Sequence, residues 1–224
     1  MFEPISNAGD RYSFKSSPHM SIQIIASLIP ECSKVLDVAC CTGYLAEIVK
    51  TKKCQVVGIE LDVSAGNKAK ESCEEVIIAD FESLKELSYP KGYFDVIVCA
   101  DIIEHLRRPD LALRKLKPYL KQHGLFIMSL PNIARFEMRL NLLLGKFNYA
   151  EIGLMDKTHL RFFTFETAKR LITSEGYVVK KVEYTGLAHR LRLLRLMPRL
   201  FAYQFIFVST PDGIVGDEDS NQAF

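Results

Sequence analysis

The sequence predicts a doubly wound α/β fold, and three observations carry that reading. Short, near-continuous apolar runs of strand length alternate with segments of helical period, as a parallel sheet covered on both faces requires. At 224 residues, 48% of them apolar, the chain is long enough for one compact domain. Each of the first three strand-like runs also ends on an acid, Asp37, Glu60 and Asp80, at the sheet end where open parallel sheets bind ligands.

KVLDV is the first strand, and the run from Tyr44 to Lys50 the helix after it. In that helix Leu45, Ile48 and Val49 form the apolar stripe expected to face the sheet, with Glu47 and Lys50 outward. QVVGIE precedes a helix over Asp62 to Glu71; EEVIIAD follows; FDVIVCA precedes a helix over Pro109 to Leu120; GLFIMSL is the fifth strand. The 33 residues from Pro131 to Phe163 then exceed an ordinary connection of about 4 to 6 residues. Ala134 to Leu144 has helical character, so residues 131–163 read as a cap insertion able to shape a substrate pocket. Thr164 suits an N-cap, Glu166 the first helical turn, and Gly176 ends that helix. YVVKKVEY and FAYQFIFVST close the sheet as a strand pair, which makes residues 1–210 one domain and the acidic stretch 211–224 a disordered tail.

The balance of 29 basic and 27 acidic residues leaves a formal net charge of +2, too small for non-specific polyanion binding. Nucleic acid is therefore not an expected partner. The six cysteines, at 32, 40, 41, 54, 73 and 99, include no Cys-x-x-Cys pair and no zinc-finger spacing; they read as reduced and mostly buried thiols. No apolar run approaches the ~18 residues of a membrane span, and the first twenty residues lack a secretory pattern. A cytoplasmic location is the expectation.

Chemistry first shows in VLDVACCTGYLAEIVK, Val35 to Lys50: a strand, a tight turn and a helix start. Glu60 follows Gly43 by 17 positions, close to the ~20-residue interval at which an acid meets ribose hydroxyls. Three acids at successive strand ends oppose a pyrophosphate and suit a cationic nucleoside. Together, VLDVACCTG, VVGIE, IIADFESL and FDVIVCADIIEHL resemble, in order and spacing, the motifs of class I S-adenosylmethionine (SAM) dependent methyltransferases. GLFIMSLPN and DKTHLRFFT are similar to segments of the ubiquinone-pathway O-methyltransferases and of methyltransferases found among bacterial saccharide genes.

The resemblance, spanning about residues 10 to 210, implies a Rossmann-like seven-stranded sheet ending in an antiparallel strand pair. It implies that Asp37 and the backbone of Ala39, Cys40, Cys41 and Gly43 hold the methionine part of SAM. Glu60 would then hold the ribose and Asp80 with Phe81 the adenine, with Ala100 at the end of the fourth strand completing the pocket. The first motif departs from the family pattern, LDxGxGxG, at Ala39 and Cys41. Glycine permits positive φ and close approach there, and a side chain forced into that region costs roughly 1 to 2 kcal/mol; the expectation is a tightened, working loop.

Methyl transfer requires positioning and, for a hydroxyl acceptor, a base. Asp101, Glu104 and His105 stand at i, i+3 and i+4, on one face if the segment is helical. The pattern resembles a magnesium site proposed for the ubiquinone-pathway enzymes and that of small-RNA 2′-O-methyltransferases, which implies Mg2+ at Asp101, Glu104 and His105. The competing role is a helix-initiating turn with His105 packed on the sheet. His159, within DKTHLRFF, is the stronger candidate base, because an imidazole can take a proton near neutrality; its structural alternative is a loop histidine bound to backbone. In GLAHRLRLLRLMPRL, residues 186–200, Arg192, Arg195 and Arg199 recur at helical spacing beside Leu193, Leu196 and Leu200. That segment is suited to an anionic or lipid-linked acceptor or to peripheral membrane contact, or more plainly to covering a sheet edge.

The function implied is methyl transfer from SAM to a hydroxyl of a small-molecule or saccharide acceptor. Its rivals are a metal-dependent RNA 2′-O-methyltransferase and a SAM-fold binding subunit without turnover. A dehydrogenase is disfavoured by the missing Gly-x-Gly-x-x-Gly.

Overall fold

The computed structural model describes residues 18–186 and 196–213. Seven strands form one sheet in the order β3-β2-β1-β4-β5-β7-β6. They are β1 (Lys34–Val38), β2 (Gln55–Glu60), β3 (Glu75–Ile78), β4 (Phe94–Ala100), β5 (Leu120–Pro131), β6 (Tyr177–Thr185) and β7 (Gln204–Pro211). The first five pair in parallel, and β7 runs antiparallel to both β5 and β6. Strand order reverses between β1 and β4, so their carboxyl ends flank the crevice where such sheets take ligands.

Two buried layers sandwich the sheet. On one face α1 (Pro18–Leu28), α2 (Tyr44–Val49) and α3 (Val63–Ala69) cover Val35, Val56, Val96 and Ile127. On the other, α4 (Pro109–Leu116) and α6 (Phe165–Ser174) cover Leu36, Ile97, Phe126 and Phe205. The first helix, α1, was not anticipated from the sequence; Ile25, Ala26 and Ile29 anchor it. Within α2, Leu45, Ala46 and Val49 are buried while Ile48 is 39% exposed, so the sheet-facing stripe includes Ala46 in place of Ile48. Six residues make too short a helix to bury the wider arc.

Tight packing explains one choice of residue on β2. A Cβ at Gly58 would lie 2.4 Å from Cys40 Sγ, so the small residue there makes room for the thiol below the first loop. All six cysteines are free thiols; Cys40, Cys73 and Cys99 are buried, Cys32 exposed.

The connection after β5 is pinched at its base. Ile133 N–H donates to Phe163 O at 3.1 Å, and buried Asn132 donates through Nδ2 to Arg199 O and Ala202 O at 3.1 Å each. Between these anchors lies α5 (Phe136–Leu143), within the helical stretch read from sequence. Beyond it, Thr164 caps α6 by accepting from Thr167 N–H. A last short helix, α7 (Pro198–Phe201), leads into β7. Strand β7 extends to Pro211, and Asp212, assigned to the tail by sequence, pairs with Lys117. Residues 214–224, together with Arg192, Leu193 and Arg195, lie outside the described residues. No helix among the described residues is long and apolar enough to cross a membrane.

Candidate functional site

The loop after β1 takes left-handed torsions at alternate positions: φ is 62° at Ala39, 51° at Cys41 and 82° at Gly43. These alternate positions are where the related motif carries glycine, so the backbone path is kept while two side chains bear the steric cost. Gly43 also approaches α3 closely, since a Cβ there would sit 3.1 Å from Ala69 Cα and 3.3 Å from its carbonyl oxygen. Cys40 N–H donates to Ile59 O at 3.1 Å, which joins the loop to β2. Asp37 lies beneath, 4% exposed; burial, then the nearby Glu60 carboxylate, push its carboxyl up to about 7.

Glu60 reinforces the loop. Its Oε2 accepts Cys41 N–H and its Oε1 accepts Asp62 N–H, both at 2.8 Å. Each oxygen keeps a further lone pair able to accept. Beside it Leu61 is 69% exposed, an apolar platform that sequence reasoning missed because a single exposed leucine has no periodic signature. Asp80 is exposed and closes its own turn, accepting Glu82 N–H at 2.9 Å and Ser83 Oγ–H at 2.6 Å; the Ser83 bond is the chief cause that lowers its pKa. Phe81 is buried in the core beneath Lys115, whose Nζ lies 4.7 Å from the ring centroid.

Across the switch point, half-buried Ala100 ends β4 and Asp101 turns the chain with φ 52°. Asp101 accepts Ser129 Oγ–H at 2.7 Å and both oxygens accept Gln204 Nε2 at 2.9 Å. Thr185 donates onward to Gln204 Oε1 at 3.2 Å. The carboxylate is therefore a clamp across β4, β5, β7 and β6. Burial raises its pKa against these bonds.

The helical face expected for Asp101, Glu104 and His105 does not form, because the segment after Asp101 is a single 3₁₀ turn, Ile103–His105. The structure instead brings Glu104 and His105 together with His159, their potential ligand atoms all within 4.8 Å of one another. Two backbone bonds dock the 158–161 segment: Leu160 and Arg161 N–H groups both donate to Glu104 O, at 2.9 and 3.0 Å. Glu104 is buried, and its Oε2 has no partner among the described residues. Burial, then the Asp101 charge, hold its carboxyl well above the usual range.

Both imidazoles are oriented by carbonyls. His105 Nδ1 lies 3.2 Å from Thr158 O and His159 Nδ1 3.3 Å from Leu154 O. A carbonyl can only accept, so each Nδ1 carries a proton, and in the neutral ring Nε2 is left as a lone-pair donor. His159 Nε2 stands 4.0 Å from Glu104 Oε1. Burial, then His105, lower the His159 pKa, so the neutral form prevails at neutral pH. Nearby, Arg135 stands at the residue before α5, its guanidinium 5.5 Å from the Tyr203 ring centroid and its Nε buried without a partner among the described residues. Arg199 is tied down, stacked 3.9 Å over Phe165 and paired with Glu166 at 2.7 Å.

A family model described as a methyltransferase domain matches residues 11–182. A probable S-adenosylmethionine-dependent methyltransferase of Mycobacterium tuberculosis is 27% identical over 135 residues, covering 59% of this chain and 49% of that protein. A ubiquinone biosynthesis O-methyltransferase of Acinetobacter baylyi is 29% identical over 104 residues, 44% of each. The chain thus matches about half the length of these curated relatives, or less. The crystal structure of a SAM-dependent methyltransferase from Archaeoglobus fulgidus superposes with a TM-score of 0.65 at 19% identity, covering 88% of this chain and 96% of that one.

Proposed function

Because the chain belongs to the SAM-dependent methyltransferase family, we propose that it transfers the methyl group to a hydroxyl of a small-molecule or saccharide acceptor held beneath the 131–163 segment, which acts as a cap. The observation that carries this reading is the position of His159, whose Nε2 stands 4.0 Å from the buried Glu104 carboxyl at the ligand-binding end of the sheet. When bound, SAM would supply an electrophilic methyl on its sulfonium, with S-adenosylhomocysteine as the leaving group. Ionised Asp37 and the 39–43 backbone would hold the methionine part, Glu60 the ribose hydroxyls, and Leu61, Asp80 and the backbone at Phe81 the adenine, the Phe81 ring itself being committed to the core. His159 Nε2 would take the proton of the acceptor hydroxyl. Glu104, once it has released its own proton, would then stabilise the imidazolium as a carboxylate.

The same donors fit a divalent cation. An orphaned buried oxygen on Glu104 with two imidazole lone pairs is a nitrogen-rich set, which suits Zn2+ or Mn2+ better than the Mg2+ implied by the family pattern. Such an ion, held by Glu104, His105 and His159, would supply polarisation of the acceptor hydroxyl.

Calorimetric titration with S-adenosylhomocysteine tests the cofactor half of the reading, with a dissociation constant near or below ~10 μM expected. Tritium transfer from methyl-labelled SAM to matched panels of hydroxyl and amine acceptors tests the other half. No heat from a folded sample overturns cofactor binding, and transfer to amines alone overturns the hydroxyl assignment.

A further inference from the structure

The segment leading away from the His159 cluster carries an apolar surface that the methyl-transfer reading does not use. Of the sixteen large apolar side chains that stand exposed among the described residues, eight fall within residues 136–152; that concentration is a patch, whereas scattered exposure would need no explanation. Helix α5 buries only Met138. Leu140, Leu143 and Leu144, at i, i+3 and i+4, share one outward stripe and are 44%, 82% and 60% exposed. Phe147 and Tyr149 extend it, at 41% and 58%.

The unpaired charge on this surface is positive, because Glu137 and Glu151 are held by Arg135 and Lys157 at 3.0 and 2.7 Å. Residues 138–150 contain Arg139 and Lys146 and no acid, and neither cation has a carboxylate partner among the described residues. A groove joins Arg139 to Leu196, Met197 and Leu200, and the chain from Gly186 to Pro211 contains Arg190, Arg192, Arg195 and Arg199 without one acidic residue. A second copy would set like charges against each other across a two-fold contact, and the arginine-rich link is itself cationic. Apolar side chains flanked by unpaired cations and aromatic rings complement one surface best, an anionic bilayer, into which leucines insert while lysine and arginine reach the headgroups.

We propose that the α5 face, with Phe147 and Tyr149, docks the protein peripherally on an anionic membrane. The surface leads into the site through rings: Phe162 contacts Phe147 at 5.8 Å, Tyr149 at 6.5 Å and His159 at 6.2 Å between centroids. Docking there places the His159 cluster at the end of an aromatic path from the bilayer. The proposal stands independently of the methyl-transfer reading, since membrane binding is read without turnover.

Vesicle co-sedimentation of the full chain tests it, using phosphatidylcholine vesicles with and without phosphatidylglycerol, at about 0.1 M and about 0.5 M salt, alongside size-exclusion chromatography. Binding to the anionic vesicles is expected, weaker by at least about tenfold on neutral vesicles, at high salt, and for Leu143→Asp/Leu144→Asp or Arg139→Glu/Lys146→Glu. Both variants should melt within ~2 °C of the parent, because these side chains are solvent-facing. No binding at millimolar lipid overturns the proposal, as does undiminished binding by the leucine variant. A dimer that dissociates in that variant while vesicle binding persists also overturns it and assigns the face to a second copy.

Discussion

Replacing Ala39 by glycine should stabilise the protein, and the size of the effect follows from the loop's torsions. Ala39 holds φ 62°, where a side chain costs roughly 1–2 kcal/mol. Glycine removes that cost but gives the unfolded chain more freedom, which offsets about 0.4–1 kcal/mol. The net gain is about 0.5–1 kcal/mol, or about 1–4 °C in melting temperature for a domain of this size. The torsion belongs to the folded chain itself, so the gain should appear equally with and without saturating S-adenosylhomocysteine, and the dissociation constant should change by less than about threefold. Gly43→Ala is the opposing control: at φ 82° and with Ala69 Cα 3.1 Å from the added Cβ, it should cost about 1–3 kcal/mol. Thermal melts followed by circular dichroism, with and without ligand, decide the matter. A fall of more than ~2 °C for Ala39→Gly would refute the reasoning and show that the methyl group packs favourably enough to outweigh its strain.

Other consequences concern buried groups. Asp37 is held up to about 7 by burial and Glu60, so the folded state binds its proton more tightly than the unfolded state; the stabilisation is complete below pH ~4 and is lost as pH rises through 7. Asp37→Asn should therefore melt higher than the parent at pH 8, by at most about 4 kcal/mol, with the gap closing toward pH 4. Glu104→Gln should show the same sign, since Glu104 is also raised by burial, and a pH-independent difference would contradict both. Gly58→Ala drives a Cβ into Cys40 Sγ and should cost about 1–3 kcal/mol; most of that loss should return in the Gly58→Ala/Cys40→Ala double variant, and simple additivity in a double-mutant cycle would rule out the clash. His159→Gln and His105→Gln should each weaken Zn2+ or Mn2+ binding in calorimetry at least about tenfold, while leaving S-adenosylhomocysteine affinity unchanged.

Much of the fold was legible because each signal was local. QVVGIE and FDVIVCA coincide with β2 and β4 residue for residue, since both strands are buried on two faces and their apolar runs have no competing period. Asp62 and Thr164 begin helices through side-chain caps three residues long. Helix α1 escaped because its apolar side face is spread over a run that reads as neither strand nor clean amphipathic helix. The exposed Ile48 shows the limit of periodicity: it identifies a helix but does not say how much of its arc the neighbours cover.

The candidate site divides along the same line. The 39–43 turn was readable because its need for positive φ is written into five consecutive residues, and Ala39 and Cys41 adopt the torsions that glycine would have taken freely. The grouping of Glu104 with His159 was not, because it joins residues 55 apart through backbone bonds from Leu160 and Arg161 to Glu104 O. Sequence spacing offered Asp101 as the third member, but that inference assumed a helix. With φ 52° at Asp101 and Ser129 and Gln204 binding its carboxylate, the aspartate is committed to the sheet before the 3₁₀ turn begins. An imidazole from the far side of the cap segment stands near Glu104 and His105 instead. The exchange matters chemically: two carboxylates and one imidazole describe a hard, oxygen-rich site, whereas one carboxylate and two imidazoles describe a softer one that also keeps a neutral base at hand. A competition in which Zn2+ or Mn2+ displaces Mg2+ at equal concentration is therefore the result this geometry requires, and preferential Mg2+ binding would return Asp101 to the site.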